Sequence, residues 1–153
     1  YGALGYGNTN DIGDDETPAS VGDVPIGATV SAISSGSSVT CAVLSDGGLV
    51  CWGGDIHGLL GTGNVDDYTQ EVPNHGPQVW IGDDETPDTV DPIVLGSPAE
   101  AVDIGSKHVC ALTTSGYVRC WGNNDNGLLG LGHSSDDIGD DEDPTALSPV
   151  KLF

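Results

Sequence analysis

Three short acidic segments hold the residues that are best suited to bind a metal ion. They carry more than half of the 24 Asp and Glu residues. Closely spaced carboxylates beside a turn glycine supply hard oxygen ligands, of which Ca²⁺ takes about six to eight. The predicted ligands are Asp11, Asp14, Asp15 and Glu16, then Asp83, Asp84 and Glu85, then Asp136, Asp137, Asp140, Asp141 and Glu142. Because their spacing does not match an EF-hand loop, solvated acidic turns remain the alternative to a calcium site.

The four cysteines form two pairs with the same spacing, Cys41/Cys51 and Cys110/Cys120. Ser45-Asp46-Gly47 fits a three-residue hairpin loop with its glycine in the left-handed conformation. Counting back from this loop places each cysteine opposite its mate at a non-hydrogen-bonded site, where Cα atoms lie closest. The pattern therefore favours a cross-strand disulfide in each hairpin over four buried free thiols. Disulfides would indicate an oxidising compartment: extracellular, cell-surface or periplasmic.

The histidines do not indicate an enzyme. His57, His75, His108 and His133 are scattered along the chain, and no G-x-S-x-G or H-E-x-x-H motif accompanies them. A catalytic triad needs a nucleophile, a base and an orienting acid that converge in space. We therefore expect no catalytic residues.

The net charge of −21 restricts the partners of this chain. Only 3 Lys and Arg residues face 24 Asp and Glu residues. We expect neither nucleic acids nor anionic membrane surfaces as partners, because binding phosphate groups requires clustered cations. No apolar run approaches the roughly 18 residues that a membrane span needs, so we expect no membrane insertion.

The elements that position these residues repeat along the chain. CAVLSDGGLVCWGG at 41–54 returns as CALTTSGYVRCWGN at 110–123, a shift of 110 − 41 = 69 residues. GLLGTG at 58–63 returns as GLLGLG at 127–132, and IGDDETP at 12–18 returns at 81–87 and, as IGDDEDP, at 138–144. A fixed period is typical of repeat proteins, in which neighbouring units bury each other's apolar surface. Short alternating hairpins with many glycine turns predict an all-β fold.

The repeats suggest a single repeat domain over residues 1–153. Residues 1–27 form the tail of one unit with its acidic loop, residues 28–96 a second unit and residues 97–153 a third. The middle unit carries an insert of about a dozen residues within 64–80. Unique inserts on repeat scaffolds often lie in loops that bind partners, so Tyr68 and Trp80 are predicted partner contacts. For Trp80, anchoring of its own insert is the alternative.

The repeated residues resemble a known family. Gly105-Ser106-Lys107-His108-Val109-Cys110-Ala111-Leu112, followed by Cys120-Trp121-Gly122-Asn123 and Gly127-Leu128-Leu129-Gly130, is similar to the regulator of chromosome condensation (RCC1) repeat. The resemblance implies a β-propeller with four-stranded antiparallel blades, and the paired cysteines resemble secreted bacterial members. It also implies that His108 is structural, with a hydrogen bond to the backbone.

Two hairpin cores do not close a propeller of about seven blades. We therefore expect that a longer polypeptide or further copies of the chain complete the assembly. The leading hypothesis is a non-enzymatic extracellular structural or interaction module of adhesin, surface or filament type, which acts by protein contact or self-assembly. The alternative is a ligand-recognition or regulatory propeller that binds a specific protein or glycan through the 64–80 insert.

Overall fold

A computed structural model describes residues 1–63, 69–72, 76–134, 137–139, 143–145 and 148–150 of the chain. The strands are β1 (Val30–Gly36), β2 (Val39–Leu44), β3 (Leu49–Asp55), β4 (Thr69–Val72), β5 (Gly76–Ile81), β6 (Ala99–Ile104), β7 (His108–Thr113) and β8 (Val118–Gly122). Short 3-10 helices cover Pro18–Ser20, Pro87–Thr89 and Asp125–Gly127. Among the described residues, no helix has the length and apolar character needed to cross a membrane.

The first sheet, which we call the first blade, has five antiparallel strands in the order β1-β2-β3-β5-β4. Strand β5 pairs with β3 through Gly53 and Ile81. This pairing makes β5 the fourth strand of the blade. The insert supplies β4, which pairs with β5 at the outer edge and explains the difference from the four strands expected.

The second sheet, the second blade, has the strand order β6-β7-β8. An isolated bridge joins Gly122 to Ile138. Gly122 follows Gly53 by the 69-residue repeat, and Ile138 occupies the position of Ile81, so the bridge repeats the β3–β5 pairing of the first blade at that position. The expectation of an all-β fold made of antiparallel blades is confirmed.

Both predicted disulfides are present in their hairpins. Cys41 pairs with Cys51 and Cys110 with Cys120, each with a Cα–Cα distance of 4.1 Å. The loop glycines adopt the left-handed conformation predicted for a three-residue turn, with φ of 88° at Gly47. This turn fixes the strand register, and the register brings the sulfur atoms together.

The core is continuous between the two blades. Strand β6 of the second blade packs against both β1 and β2 of the first. The tryptophans Trp52 and Trp121 are 1% and 0% exposed. Blade packing against blade thus buries apolar surface that neither sheet covers alone.

Candidate functional site

The first blade has an apolar face that the second blade closes. We call it the closed face, and its side chains are 0–3% exposed: Cys41, Val43, Leu49 and Cys51. The Ala99 amide of β6 donates a hydrogen bond to the Gly47 carbonyl at 2.8 Å. Gly47 also lies against Pro98, since a Cβ added to it would be 2.3 Å from the Pro98 Cβ. The hairpin turn of one blade is therefore the seat for the first strand of the next.

The second blade carries the same face, but no described strand packs on it as β6 packs on the closed face. We call it the open face, and each of its side chains is only half-buried: Cys110, Leu112, Val118 and Cys120. Along β7 exposure alternates, because Val109 and Ala111 face the first blade and are fully buried. Gly116, the equivalent of Gly47, has no described atom within 4 Å of an added Cβ.

A second blade-to-blade contact repeats at the glycine turns, which we define as Gly2–Gly5, Gly58–Gly61 and Gly127–Gly130. The indole N–H of Trp52 donates to the Ala3 carbonyl, and that of Trp121 to the Leu59 carbonyl, both at 3.0 Å. In the third turn Leu128 takes the place of Ala3 and Leu59. Leu128 is 45% exposed whereas Leu59 is 2% exposed, and no hydrogen bond reaches the Leu128 carbonyl from the described residues.

The acidic loops bring together two groups of carboxylates. Oxygens of Asp14, Asp15 and Glu16 lie within 4.8 Å of one another, and so do oxygens of Asp83, Asp84 and Glu85. Asp11 lies just before the first group and is exposed. The predicted ligands Asp136, Asp140, Asp141 and Glu142 lie outside the described residues. Calcium binding at these loops stays a prediction.

The second acidic loop is the more buried of the two. Asp83 Oδ1 and Glu85 Oε1 are buried without a hydrogen-bond partner among the described residues. Burial raises the pKa of Glu85 from its ordinary 4.5 to about 7, and the side chains of Asp84 and Asp83 act in the same direction. The equivalent Glu16 instead accepts a hydrogen bond from the Gly13 amide at 3.0 Å. The second loop therefore carries a carboxylate whose charged form is disfavoured by burial, and binding of a proton or a cation would neutralise that charge.

Asp137 joins the blades. Its Oδ1 accepts hydrogen bonds from Asn123 Nδ2 and the Asn124 amide, each at 3.1 Å. Its Oδ2 lies 2.8 Å from Nδ1 of His57, which belongs to the loop after β3. Asn123 and Asn124 are buried. Asp137 therefore satisfies buried polar groups and also forms a contact between residues 80 positions apart.

His108 differs from the expected backbone-bonded residue. Its Nδ1 is buried without a hydrogen-bond partner among the described residues. The ring lies against Gly105, where an added Cβ would be 2.5 Å from the ring Cε1. Packing, rather than a hydrogen bond at Nδ1, fixes the ring in this structure.

Trp80 lies at the end of the insert, where β5 meets the first blade. Its ring packs edge-on against Tyr1 with centroids 5.1 Å apart, and its indole N–H is buried without an acceptor among the described residues. The other predicted partner contact, Tyr68, lies outside the described residues. Partner binding by these two residues stays a prediction.

Sequence reasoning missed Leu128 and Gly116 as parts of a site, because each looks like an ordinary turn residue. The signal lay in the repeat itself. Leu128 and Gly116 each have an equivalent residue 69 positions earlier in the chain. Those earlier residues contact the next blade, so the absence of the same contact at Leu128 and Gly116 marks them as parts of a candidate site.

Comparisons with known proteins agree with this architecture. Residues 100–128 match the family model "Regulator of chromosome condensation (RCC1) repeat". The ultraviolet-B receptor UVR8 of Arabidopsis thaliana is 33% identical over 136 residues, which cover 89% of this chain and 26% of UVR8. The serine/threonine-protein kinase Nek8 of Danio rerio is 32% identical over 105 residues, 69% of this chain and 13% of the kinase.

Solved structures show the same fold. Prp20p of Saccharomyces cerevisiae superposes with a TM-score of 0.64 at 20% identity, over 99% of this chain and 33% of that one. Yeast RCC1 (Prp20) bound to Kap60 gives a TM-score of 0.62 at 21% identity, over 84% of this chain and 26% of that one. This chain therefore spans about a quarter to a third of these proteins.

Proposed function

Because this chain is built from RCC1-like β-propeller repeats, we propose that it is an extracellular interaction module that acts through contact with another protein. The observation that carries the proposal is the open face, whose apolar side chains are only half-buried among the described residues, beside an equivalent face that is closed. Exposed apolar faces of this kind mark sites of protein contact. Among the structural neighbours, Prp20p is described by its binding to Gsp1p and histones, and yeast RCC1 by its complex with Kap60.

The proposed module is not an enzyme. All four cysteines are held in disulfides, which removes them as nucleophiles. In the part of the chain that the structure describes, His57 pairs with the carboxylate of Asp137, and no described serine or threonine hydroxyl hydrogen-bonds to either residue. That pair lies between loops of two blades, where a contact role accounts for it.

The two disulfides support a location outside the cytoplasm: in the medium, on the cell surface or in the periplasm. Reducing compartments do not maintain such bonds. The net charge of −21 supports a protein partner over nucleic acid or an anionic membrane.

Contact with a different protein is favoured over self-assembly of identical copies. Each copy carries a net charge of −21, so copies repel one another. A structural role in a filament or adhesin would then require a partner of different charge to join the copies.

The insert offers a second candidate surface for ligand recognition. Strand β4 pairs with β5 and forms the outer edge of the first blade in the described part of the chain. An edge strand can pair with an extended peptide. Replacing residues 64–75 with a short turn would remove this edge, and a partner that still binds would exclude it as the site.

Site-directed photo-crosslinking in the organism that makes the protein tests the proposal. A photoreactive residue replaces Tyr117, which is 58% exposed in the turn beside Gly116. Val94, also 58% exposed, gives the matched control on the segment after β5. We expect an adduct with another polypeptide from position 117 and none from position 94. Absence of any polypeptide adduct from position 117 contradicts the proposal.

A further inference from the structure

The second blade contains a pocket that is lined mainly by polar side chains. Its volume is about 390 Å³, and small-molecule sites typically have volumes of roughly 300–1,000 Å³. It lies between the residues before β6, the β7–β8 turn and Pro149. We call it the hydroxyl pocket, after the polar side chains that line it: Ser97, Thr113, Ser115, Tyr117 and Arg119. Its size and lining make it a candidate site for a small polar ligand.

The first blade has apolar residues or glycine at three of the equivalent positions. The shift of 69 residues gives these equivalences: Leu44 for Thr113, Gly48 for Tyr117 and Val50 for Arg119. Leu44 and Val50 are buried, at 7% and 3% exposure. Leu44 also lies over Gly48, since a Cβ added to Gly48 would be 3.2 Å from Leu44 Cδ1. Leucine thus occupies the corresponding space in the first blade, so the hydroxyl pocket belongs to the second repeat and does not follow from the repeat pattern.

Three hydroxyl groups of the pocket form a chain of contacts. Ser97 Oγ lies 2.5 Å from Ser115 Oγ, and Ser115 Oγ lies 3.3 Å from Thr113 Oγ1. Thr113 is 1% exposed, and its hydroxyl donates a hydrogen bond to the Tyr117 carbonyl at 3.0 Å. Each hydroxyl has one donor and two acceptor positions, so the two serines can also bond an oxygen of a ligand. Because the chain is already assembled, binding requires little ordering of these side chains.

A guanidinium group and an aromatic ring complete the hydroxyl pocket. Arg119 Nε donates to the Leu95 carbonyl at 2.9 Å, and its Nη1 donates to the Pro144 carbonyl at 3.0 Å. These two bonds fix the plane of the guanidinium group. The side chain of Tyr117 is 58% exposed, so its ring presents an apolar face to solvent beside the polar groups. Fixed polar groups next to an aromatic face suit a ligand that has oxygens around an apolar C–H surface.

We propose that the hydroxyl pocket binds one sugar residue of a neutral carbohydrate. The sugar hydroxyls would bond Ser97 and Ser115, and the C–H face of the sugar ring would pack on Tyr117. The described residues that line the pocket include no Asp or Glu, so they offer no carboxylate to a metal ion or an ammonium group. The net charge of −21 opposes an anionic ligand. This inference goes beyond the proposed function, because it concerns a small-molecule site and not a protein contact.

The test is a titration of the whole ¹⁵N-labelled chain with free sugars, followed by two-dimensional NMR under non-reducing conditions. The probes are D-glucose, D-galactose, D-mannose and N-acetyl-D-glucosamine, with D-galacturonic acid as the anionic comparison and glycerol as the control for unspecific effects of a polyol. We expect at least one neutral sugar to shift the amide signals of Ser97, Ser115 and Tyr117 saturably, with a Kd on the order of 1–10 mM. Glycerol should cause no saturable shift.

The variant Thr113→Leu fills the hydroxyl pocket with the residue that the first blade has at this position. The hairpin should keep its turn, because the Leu44 amide donates to the Gly48 carbonyl at 2.8 Å just as the Thr113 amide donates to the Tyr117 carbonyl at 2.9 Å. The matched control is Thr29→Leu, the same change at an exposed residue that does not line the pocket. We expect sugar binding at least roughly tenfold weaker for Thr113→Leu and unchanged for Thr29→Leu. A second variant, Tyr117→Ala, removes only an exposed ring and should weaken binding roughly fivefold.

Three results would overturn the sugar site: no saturable shift with any of the four neutral sugars, saturable binding of D-galacturonic acid alone, or parent-like sugar binding by the Tyr117→Ala variant. The crosslinking experiment detects a polypeptide and uses no free sugar, so the two proposals fail separately. A failed titration accompanied by a position-117 adduct rejects the sugar site and leaves the proposed interaction function in place. Sugar binding without a polypeptide adduct has the opposite meaning.

Discussion

Replacing glycine by alanine at the two equivalent turn positions should lower the unfolding free energy by different amounts. Gly47 and Gly116 have φ of 88° and 80°, so an alanine at either one has the left-handed strain of about 1 kcal/mol. At Gly116 the added methyl group enters open space. At Gly47 it would lie 2.3 Å from the Pro98 Cβ, where carbon atoms normally keep about 3.5–4.0 Å.

Relieving the overlap at Gly47 requires Pro98 to move by more than 1 Å (about 3.5 Å less the 2.3 Å available). That movement disturbs the bond from the Ala99 amide to the Gly47 carbonyl and the bond from the Thr114 amide to the Pro98 carbonyl. Overpacking and weakened hydrogen bonds together add about 2 kcal/mol to the loss of unfolding free energy. For a chain of this size the additional loss lowers Tm by roughly 4–8 °C.

The assay is denaturant and thermal unfolding of both variants under non-reducing conditions. We expect Gly116→Ala to lose about 1 kcal/mol and Gly47→Ala to lose about 3 kcal/mol. Equal losses would refute the reasoning, because the blade-to-blade seat at Gly47 would then contribute nothing to stability.

Three further perturbations have expected outcomes. Replacing Cys110 and Cys120 with serine should lower the unfolding free energy by roughly 2.5–3 kcal/mol in denaturant titrations, and the loop-entropy account fails if the loss is negligible. Because the folded pKa of Glu85 is raised to about 7, its stabilising protonated form is lost as pH rises through that value. In EDTA, Glu85→Gln should therefore stabilise the chain at pH 8 by about 1 kcal/mol or less, seen as a higher Tm than that of the parent chain, and should leave Tm unchanged at pH 4. Glu16→Gln, which removes the same charge from the equivalent loop, is the control. A gain in Tm that does not depend on pH would contradict the assignment of the raised pKa to Glu85. If the acidic loops bind Ca²⁺ with a Kd of about 1 mM, 10 mM Ca²⁺ should add about 1.4 kcal/mol to the unfolding free energy and raise Tm by roughly 3–5 °C. An unchanged Tm would indicate that the loops are solvated acidic turns.

Local sequence signals predicted the hairpins well. The three-residue loop sets the register of each hairpin within a few residues, so Cys41 falls opposite Cys51 without reference to the rest of the chain. The all-β repeat architecture followed from the shift of 69 residues, since the same local interactions recur at each copy. These features depend on short-range chemistry that a sequence displays directly.

Contacts between loops were not predictable in this way. Asp137 was expected to bind a metal ion, and that expectation stays a prediction, but its position between His57 and Asn124 depends on how two blades stack. Strand β4 was likewise not predicted, because the insert gives no second copy for comparison. The open face became visible only when the burial of equivalent residues in two blades was compared.

The central claim is that one apolar face is closed in the first blade and open in the second. Hydroxyl-radical footprinting with mass spectrometry measures this directly, by comparing oxidation of Leu112 and Val118 with that of their equivalents Val43 and Leu49. The account predicts several-fold faster oxidation of Leu112 and Val118 than of Val43 and Leu49. Equal oxidation rates at the two faces in the isolated chain would contradict it.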